Sequence, residues 1–439
     1  MRLRNTLLLL AALAAVFSVT IDHLARETPS EAQAERIAID NSTVYSLPPA
    51  LLQKAATLSR TVRILTIADT FWTPIQLLLV LVLGVAAWMQ GVAVSLSRNR
   101  WAQGFSFVFL LLLVMQLLNL PLGIYGHRVA LSYGLSVQGW VSWLADKAKI
   151  FALEWLFGGL LSMLIFWIIR RSPTHWWFWF WFPAIFCLIA GVFVAPYVID
   201  PLFNKFEPLS QSNSALVQQL EQVVARGGIS IPPQRMFLMK ASVKSTQLNA
   251  YVTGFGASKR VVVWDTTIAK CSPDEISFIF AHEMGPYVLN HIVTGLALSC
   301  FALLPLFWLG FLGVHFLLLR YGSAWRIPSQ QDWGALVVLL LVLSVLSTLS
   351  DPFANAFSRA IEHNADVYGQ EAVHGIVADP QSVSREAFQT LGELSLDDPT
   401  PHPLYELWFG THPPIRFRAA FAEAYDPWAP NQRPRYFPK

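Results

Sequence analysis

The chain is 439 residues long, with 54% hydrophobic and 13% charged residues and a mean hydropathy of +0.45. An ordinary soluble chain is nearer a quarter charged, so this composition excludes a disordered chain and argues against a purely soluble enzyme. A net charge of +3 is too small to point to nucleic acid.

The 17 Trp and 30 Phe are of the kind that anchor spans at membrane interfaces. Cys187, Cys271 and Cys300 are widely spaced, and two of them lie in apolar runs. Neither a disulfide framework nor a Cys-based zinc site is indicated.

Seven apolar runs follow in chain order, at 6–20, 71–94, 105–125, 150–169, 176–199, 292–319 and 334–349. A bilayer takes about 20 residues to cross. The first run is short and follows the basic start MRLR, so it reads as a span or as a cleaved signal peptide, with AQA at 32–34 as a cleavage site. The last run keeps helical character past the membrane surface, through SDPFANAFSRAIEHNAD. Arg2, Arg4, Arg98, Arg100, Arg170, Arg171, Arg320 and Arg326 fall on one side in a seven-span arrangement. The positive-inside rule makes that side cytoplasmic, and Lys54, Arg60 and Arg63 weigh the other way. The polar regions then face outward, from a bacterial inner membrane.

Those polar regions carry the chemistry. The organisation expected is 1–199 as a five-span membrane region, 200–290 and 350–425 as two parts of one soluble domain, 291–349 as the sixth and seventh spans, and 426–439 as a mobile tail. Regions that flank a helical hairpin can build one site together.

In the first region, NAYVTGFGASKRVVVWDTTI at 249–268 reads as a hairpin turning at 254–259. It is either plain structure or an edge strand that captures an extended peptide by backbone pairing. Next, CSPDEISFIFAHEMGPYVLNH opens a helix. Ser272 is its N-cap, Pro273 its first residue, and Glu275 completes a capping box. That helix carries His282 and Glu283. In H-E-x-x-H, two His at i and i+4 share one face and bind zinc, with the Glu as general base. The place of the second His is taken by Pro286. Proline offers no donor, and it removes the N–H that would bond the His282 carbonyl. His291 lies about 13.5 Å further along a continued helix, on its opposite face. A His-Glu pair alone is more often a solvated pair on a helix.

In the second region, Glu362 and Asp366 share one helical face within AFSRAIEHNADVYG. They form either a polar face, or a carboxylate zinc ligand with a supporting group behind it. In THPPIRFRA, the rigid Pro-Pro pair fixes His412 at a site mouth or simply precedes a helix, with Arg416 and Arg418 after it.

The ordered set VIDPLFNKFEPL, NAYVTGF with KRVVVWDT, HEMG, SRAIEHNAD and THPPIRFR resembles the integral-membrane gluzincin metalloproteases of the type 1 CAAX prenyl protease group. The likeness runs from a YGHRVALSYGLS loop near Tyr125 to Arg418. It implies a predominantly α, polytopic fold: about seven transmembrane helices around a chamber, with a small α+β gluzincin domain. By the resemblance, His282 and Glu362 match metal ligands, and Glu283 matches the base that activates the zinc water. Asp366 matches a proton donor, and His412 matches a residue that contacts substrate or shapes the site, where an intact centre would let it stabilise the oxyanion. Asn249, Ala250 and Tyr251 match the substrate-binding strand, and Arg418 matches a residue that contacts substrate.

The cofactor implied is one zinc per chain, with weak binding expected here because Pro286 replaces a ligand. The partners implied are the lipid bilayer and a peptide or protein substrate, of a kind that includes lipidated and membrane-associated ones. The function expected is a zinc metalloendopeptidase impaired by Pro286. The alternative is an inactive pseudoprotease that binds peptide without cleaving it. A transporter or receptor is the remaining reading, and no internal repeat supports it.

Overall fold

The structure, a computed structural model, describes residues 19–20, 22, 24–41, 44–254 and 258–437. The expected first span at 6–20 lies outside the described residues apart from its last two. Six helices among the described residues are long and apolar enough to cross a bilayer, and they correspond to the other six runs.

Helix α1 (Pro29–Asp40) starts at a Thr28–Glu31 capping box and contains the AQA tripeptide, with Ala34 buried. Helix α2 (Pro49–Val82) is the first described span. The run at 71–94, expected as one span, is divided. Gly84 takes a φ of 71°, and a separate helix α3 (Val85–Leu96) follows it. Only glycine adopts that left-handed conformation without a Cβ penalty, so it can reverse the chain inside an apolar run. At roughly 18 Å, α3 is too short to span.

Helix α4 (Arg100–Ser132) starts at the Asn99 cap and runs on through YGHRVALS, so the segment near Tyr125 is helix rather than loop. Only after Ser132 does Gly134, with a φ of 75°, turn the chain. Helix α5 (Trp140–Arg171) and helix α6 (Trp176–Val194) complete the N-terminal bundle, and the span of α6 continues to Phe203.

The soluble domain begins with strand β1 (Phe206–Pro208) and the amphipathic helix α7 (Ser214–Arg226). Strands β2 (Met236–Met239), β3 (Ala250–Thr253) and β4 (Arg260–Trp264) follow. The sheet order is β1-β2-β4-β3, with β2 and β4 parallel and the other pairs antiparallel. The expected hairpin is therefore present as β3 and β4, and β3 is an edge strand. Helix α8 (Pro273–Val288) packs against β3.

Helix α9 (His291–Tyr321) returns to the membrane. Helix α10 (Ala335–Ala372) is 38 residues long. At 1.5 Å per residue that is roughly 57 Å, about twice the hydrocarbon thickness. It therefore leaves the membrane as one rod. Its N-terminal part, Ala335 to Leu341, packs in a membrane core with Leu77, Phe107, Met163 and Trp333. Its C-terminal part, with Tyr368 and Ala372, packs in the soluble core with Leu220, Ile276, Phe280 and Met284. One helix thus ties the bundle to the domain. Helix α11 (Pro380–Ser395) and helix α12 (Ile415–Ala424) close the domain, with α12 packed on α1 and α11.

Residues 426–437 are docked, where their prolines had suggested a mobile tail. The Glu371 carboxylate accepts from the backbone N–H of Arg435, Tyr436 and Phe437, and from the Tyr425 hydroxyl. Arg435 also donates to Glu31 at 2.7 Å. Charge-assisted bonds of this kind are about twice as strong as neutral ones, which offsets the ordering of a short segment.

Candidate metal centre and peptide cleft

Helix α8 begins as its sequence dictates. Ser272 N–H donates to the Glu275 carboxylate at 2.7 Å, and Glu275 N–H donates to Ser272 Oγ at 3.2 Å. Thr390 of α11 donates to the other Glu275 oxygen at 2.9 Å, which fixes the helix start to the domain. Pro286 lies within the helix, which ends at Val288. Asn290, with a φ of 58°, then turns the chain into α9.

Helices α8 and α10 approach closely because small residues face each other. A Cβ on Gly369 would lie 3.0 Å from His282 N and 3.1 Å from its Cα, and one on Gly285 would lie 3.2 Å from Ala365 Cα. The sequence signal is Ala281 and Gly285 four apart, opposite Ala365 and Gly369 four apart. This spacing belongs to none of the catalytic motifs. This contact is what brings His282 to Glu362 and Asp366. A Gly369→Leu variant is expected to force the helices apart at a cost of about 1–3 kcal/mol, read as a lowered unfolding temperature in detergent. An unchanged unfolding temperature contradicts the close packing.

His282 bridges two carboxylates. Its Nε2 is 3.1 Å from Glu362 Oε2, and its Nδ1 is 2.9 Å from Asp366 Oδ1. Burial disfavours the charged ring, yet the contacts with Asp366 and Glu362 outweigh it and raise the His282 pKa to about 10. Asp366 is held from its other side by Arg418, which donates from Nε at 2.8 Å and from Nη2 at 2.7 Å. Arg418 Cζ also lies 4.5 Å from the centre of the Phe388 ring. Asp366 therefore sits behind the imidazole and is not among the cavity-lining residues. Its position suits orienting His282 more than donating a proton to substrate.

A cavity of about 150 Å³ opens in front of this cluster. His282, Glu283, His412, Arg418, Asn249 and Ala250 line it, together with the apolar Phe278, Ile279 and Phe388. Burial, the first cause, raises the Glu283 pKa to about 7 despite the attraction of His282. His412 is half exposed, with Nε2 3.3 Å from Glu362 Oε2 and Nδ1 2.9 Å from Thr411 Oγ1. Its loop is clamped by Arg359 of α10, whose Nη1 donates to the carbonyl of Gly410 at 2.6 Å. Arg416 is not among the cavity-lining residues.

The strand residues divide between two faces. Asn249 is tied on both sides of its peptide to Thr267 Oγ1, at 2.9 and 2.8 Å. Trp264 N–H donates to the Asn249 carbonyl. This register pairs 249, 251 and 253 with β4, so the backbones of Ala250 and Val252 turn toward the edge. The Val252 carbonyl is taken by the Tyr287 hydroxyl at 2.9 Å. Ala250 is only 1% exposed, so a peptide pairing with it must enter the cavity. Tyr251 packs on the far face with Met239 and Val262, away from the cavity.

The donors that fit a zinc centre are His282 Nε2 and Glu362 Oε2. One turn on from His282 stands Pro286, which has no donor atom. Among the described residues no group of three or more His, Cys, Asp or Glu is arranged to hold a metal ion. Zinc enzymes take three protein ligands and keep one position open. The residues present therefore do not fit a complete zinc site.

Residues 210–426 match peptidase family M48, and residues 31–205 match the CAAX prenyl protease N-terminal region of five membrane helices. An uncharacterized metalloprotease of Bacillus subtilis, YhfN, is 35% identical over 328 residues, 74% of each chain. A CAAX prenyl protease 1 homolog of Oryza sativa subsp. japonica is 28% identical over 75% of each chain. CAAX prenyl protease 1 of Saccharomyces cerevisiae is 28% identical over 72% of this chain and 71% of its own. In fold, the crystal structure of S. mikatae Ste24p superposes with a TM-score of 0.74 at 23% identity, covering 95% of this chain and 99% of that one. The chain belongs to peptidase family M48, as a multi-pass membrane metalloprotease of the CAAX protease-like kind.

Proposed function

We propose that this chain is a membrane endopeptidase of the CAAX prenyl protease type 1 kind whose hydrolytic half is impaired by Pro286 and whose peptide-capturing half is intact. The observation that carries the reading is the pairing of His282 with Glu362 beside a helix position where Pro286 supplies no third donor. Beside that pair, β3 offers the Ala250 backbone at the cavity wall, which suits strand addition by an extended peptide. In an intact relative, bound zinc would supply an activated water and polarise the scissile carbonyl. In this reading Glu283 acts as the base and His412 stabilises the oxyanion, which their places on the cavity wall support, while Asp366 and Arg418 hold the His282 ring.

The substrates are peptides or proteins at the membrane, including lipidated ones. The catalytic region lies outside the bacterial inner membrane, opposite the cytoplasmic arginines. In support of that placement, the loops at 98–100, 170–175 and 320–334 gather at one end of the bundle. Gln330 there donates to the Pro173 carbonyl, and Trp333 donates to Gln103.

The test measures binding and turnover on one sample of the native chain. Extended peptides are expected to bind while their cleavage stays at or near background. N-methylation of the peptide backbone is expected to abolish binding, because strand addition needs its N–H groups. Rapid turnover of the native chain contradicts impairment. Binding indifferent to N-methylation contradicts strand addition. An inactive pseudoprotease differs from the impaired enzyme only in having no residual turnover.

A further inference from the structure

Across the six apolar runs from 71 to 349 there is one residue among Asp, Glu, Lys and Arg, and it is Glu154. A charged side chain inside a membrane bundle is costly, and such residues face the interior and mark functional sites by default. Glu154 lies on α5 and lines a cavity of about 470 Å³ with Thr73 of α2, Gln116 and Asn119 of α4, and Leu340 and Ser347 of α10. Walls from four different helices border this cavity, and Glu154 is exposed within it rather than packed against a neighbour. Asn119 is oriented by Gln76, whose Nε2 donates to Asn119 Oδ1 at 2.5 Å. Among the described residues no cation is paired with Glu154.

The cavity is mostly apolar with one carboxylate and a few amides and hydroxyls. That chemistry complements a lysine or arginine side chain. Its aliphatic stem covers Leu77, Leu111 and Leu340, while its head meets Glu154. The cavity also shares α10 with the candidate metal centre. Ser347 and Glu362 are separated by roughly 22 Å of helix at 1.5 Å per residue. An extended peptide covers that distance in about seven residues.

We propose that this cavity is a second peptide subsite, which takes a lysine or arginine side chain roughly seven residues from the segment held beside β3. The proposal rests on the peptide-capture reading above and names what the captured peptide must carry. It places a specificity determinant among the membrane helices, away from the hydrolytic residues.

The test uses the full chain in lipid nanodiscs and fluorescent, otherwise neutral extended peptides. One lysine is moved along the peptide and compared at each position with norleucine, which keeps the stem and lacks the charge. Lysine at one or two adjacent positions is expected to tighten binding roughly ten-fold, the size of one charge-assisted contact. Glu154→Gln is expected to erase that gain and leave binding of the norleucine peptides unchanged. Glu154→Lys is expected to transfer the preference to peptides with glutamate at the same position, which also shows that the variants are folded.

A lysine gain that survives Glu154→Gln, or one without position dependence, overturns the proposal. Norleucine peptides that bind while lysine adds nothing overturn the subsite alone. Failure of every peptide to bind overturns the capture reading and the subsite with it. Co-purified phosphatidylethanolamine that is lost in Glu154→Gln, with no lysine preference, assigns the cavity to a lipid ammonium and also overturns the proposal.

Discussion

Pro286→His is expected to raise zinc affinity on the order of a hundred-fold or more and to bring peptide cleavage with it. Two effects act together. An imidazole at this position lies four residues from His282, on the same helical face, and completes a donor set with Glu362. The substitution also restores the N–H that proline denies to the His282 carbonyl, which removes a helix-interior penalty of about 3 kcal/mol. Metal analysis and a peptide-cleavage assay read the two gains. Glu283→Gln in the same background is expected to keep the zinc and lose the cleavage, which separates metal binding from proton transfer. Unchanged zinc and cleavage in Pro286→His would show that the motif has been assigned in the wrong register.

Arg418→Ala is expected to destabilise the domain by about 3–5 kcal/mol, the cost of leaving a buried carboxylate without its partner. Asp366 is 4% exposed in its side chain and takes both bonds of the Arg418 fork. Without that fork, Asp366 faces only His282, the joint between α10 and α12 loses its ion pair, and the joint between α11 and α12 loses the stacking of Arg418 on Phe388. Arg418→Lys is expected to recover little, since a single ammonium cannot make two parallel bonds to one carboxylate. Thermal unfolding in detergent measures both variants. A shift no larger than that of a surface substitution would mean that solvent screens the pair.

The spans were legible because lipid demands long apolar runs, and six of the seven expected runs have their helix among the described residues. The interruption at Gly84 was not, since a glycine inside an apolar run reads the same whether it packs helices or reverses the chain. The Ser272–Glu275 box and the β3–β4 hairpin were legible because both are local, closed by residues near in sequence. The docking of the tail was not, because it depends on Glu371, which is more than sixty residues away from the amides it accepts.

At the candidate site, His282, Glu362, Asp366, His412 and Arg418 were picked out from motifs and meet around one cluster. What motifs could not give is which side of the imidazole each group takes. Asp366 and Arg418 stand behind Nδ1, whereas Glu362 stands at Nε2. Nor could they show that Tyr251 turns away from the cavity while Asn249 and Ala250 line it. The small-residue seam of Ala281, Gly285, Ala365 and Gly369 was present in the sequence at a spacing of four and would have predicted the close approach of α8 and α10.

If Pro286 deprives this membrane protease of a complete metal site, the zinc content of the native chain reads that loss directly. Mass spectrometry of protein purified without chelators, from cells supplied with zinc, is predicted to find far less than one atom per chain. A value near one per chain would contradict the claim.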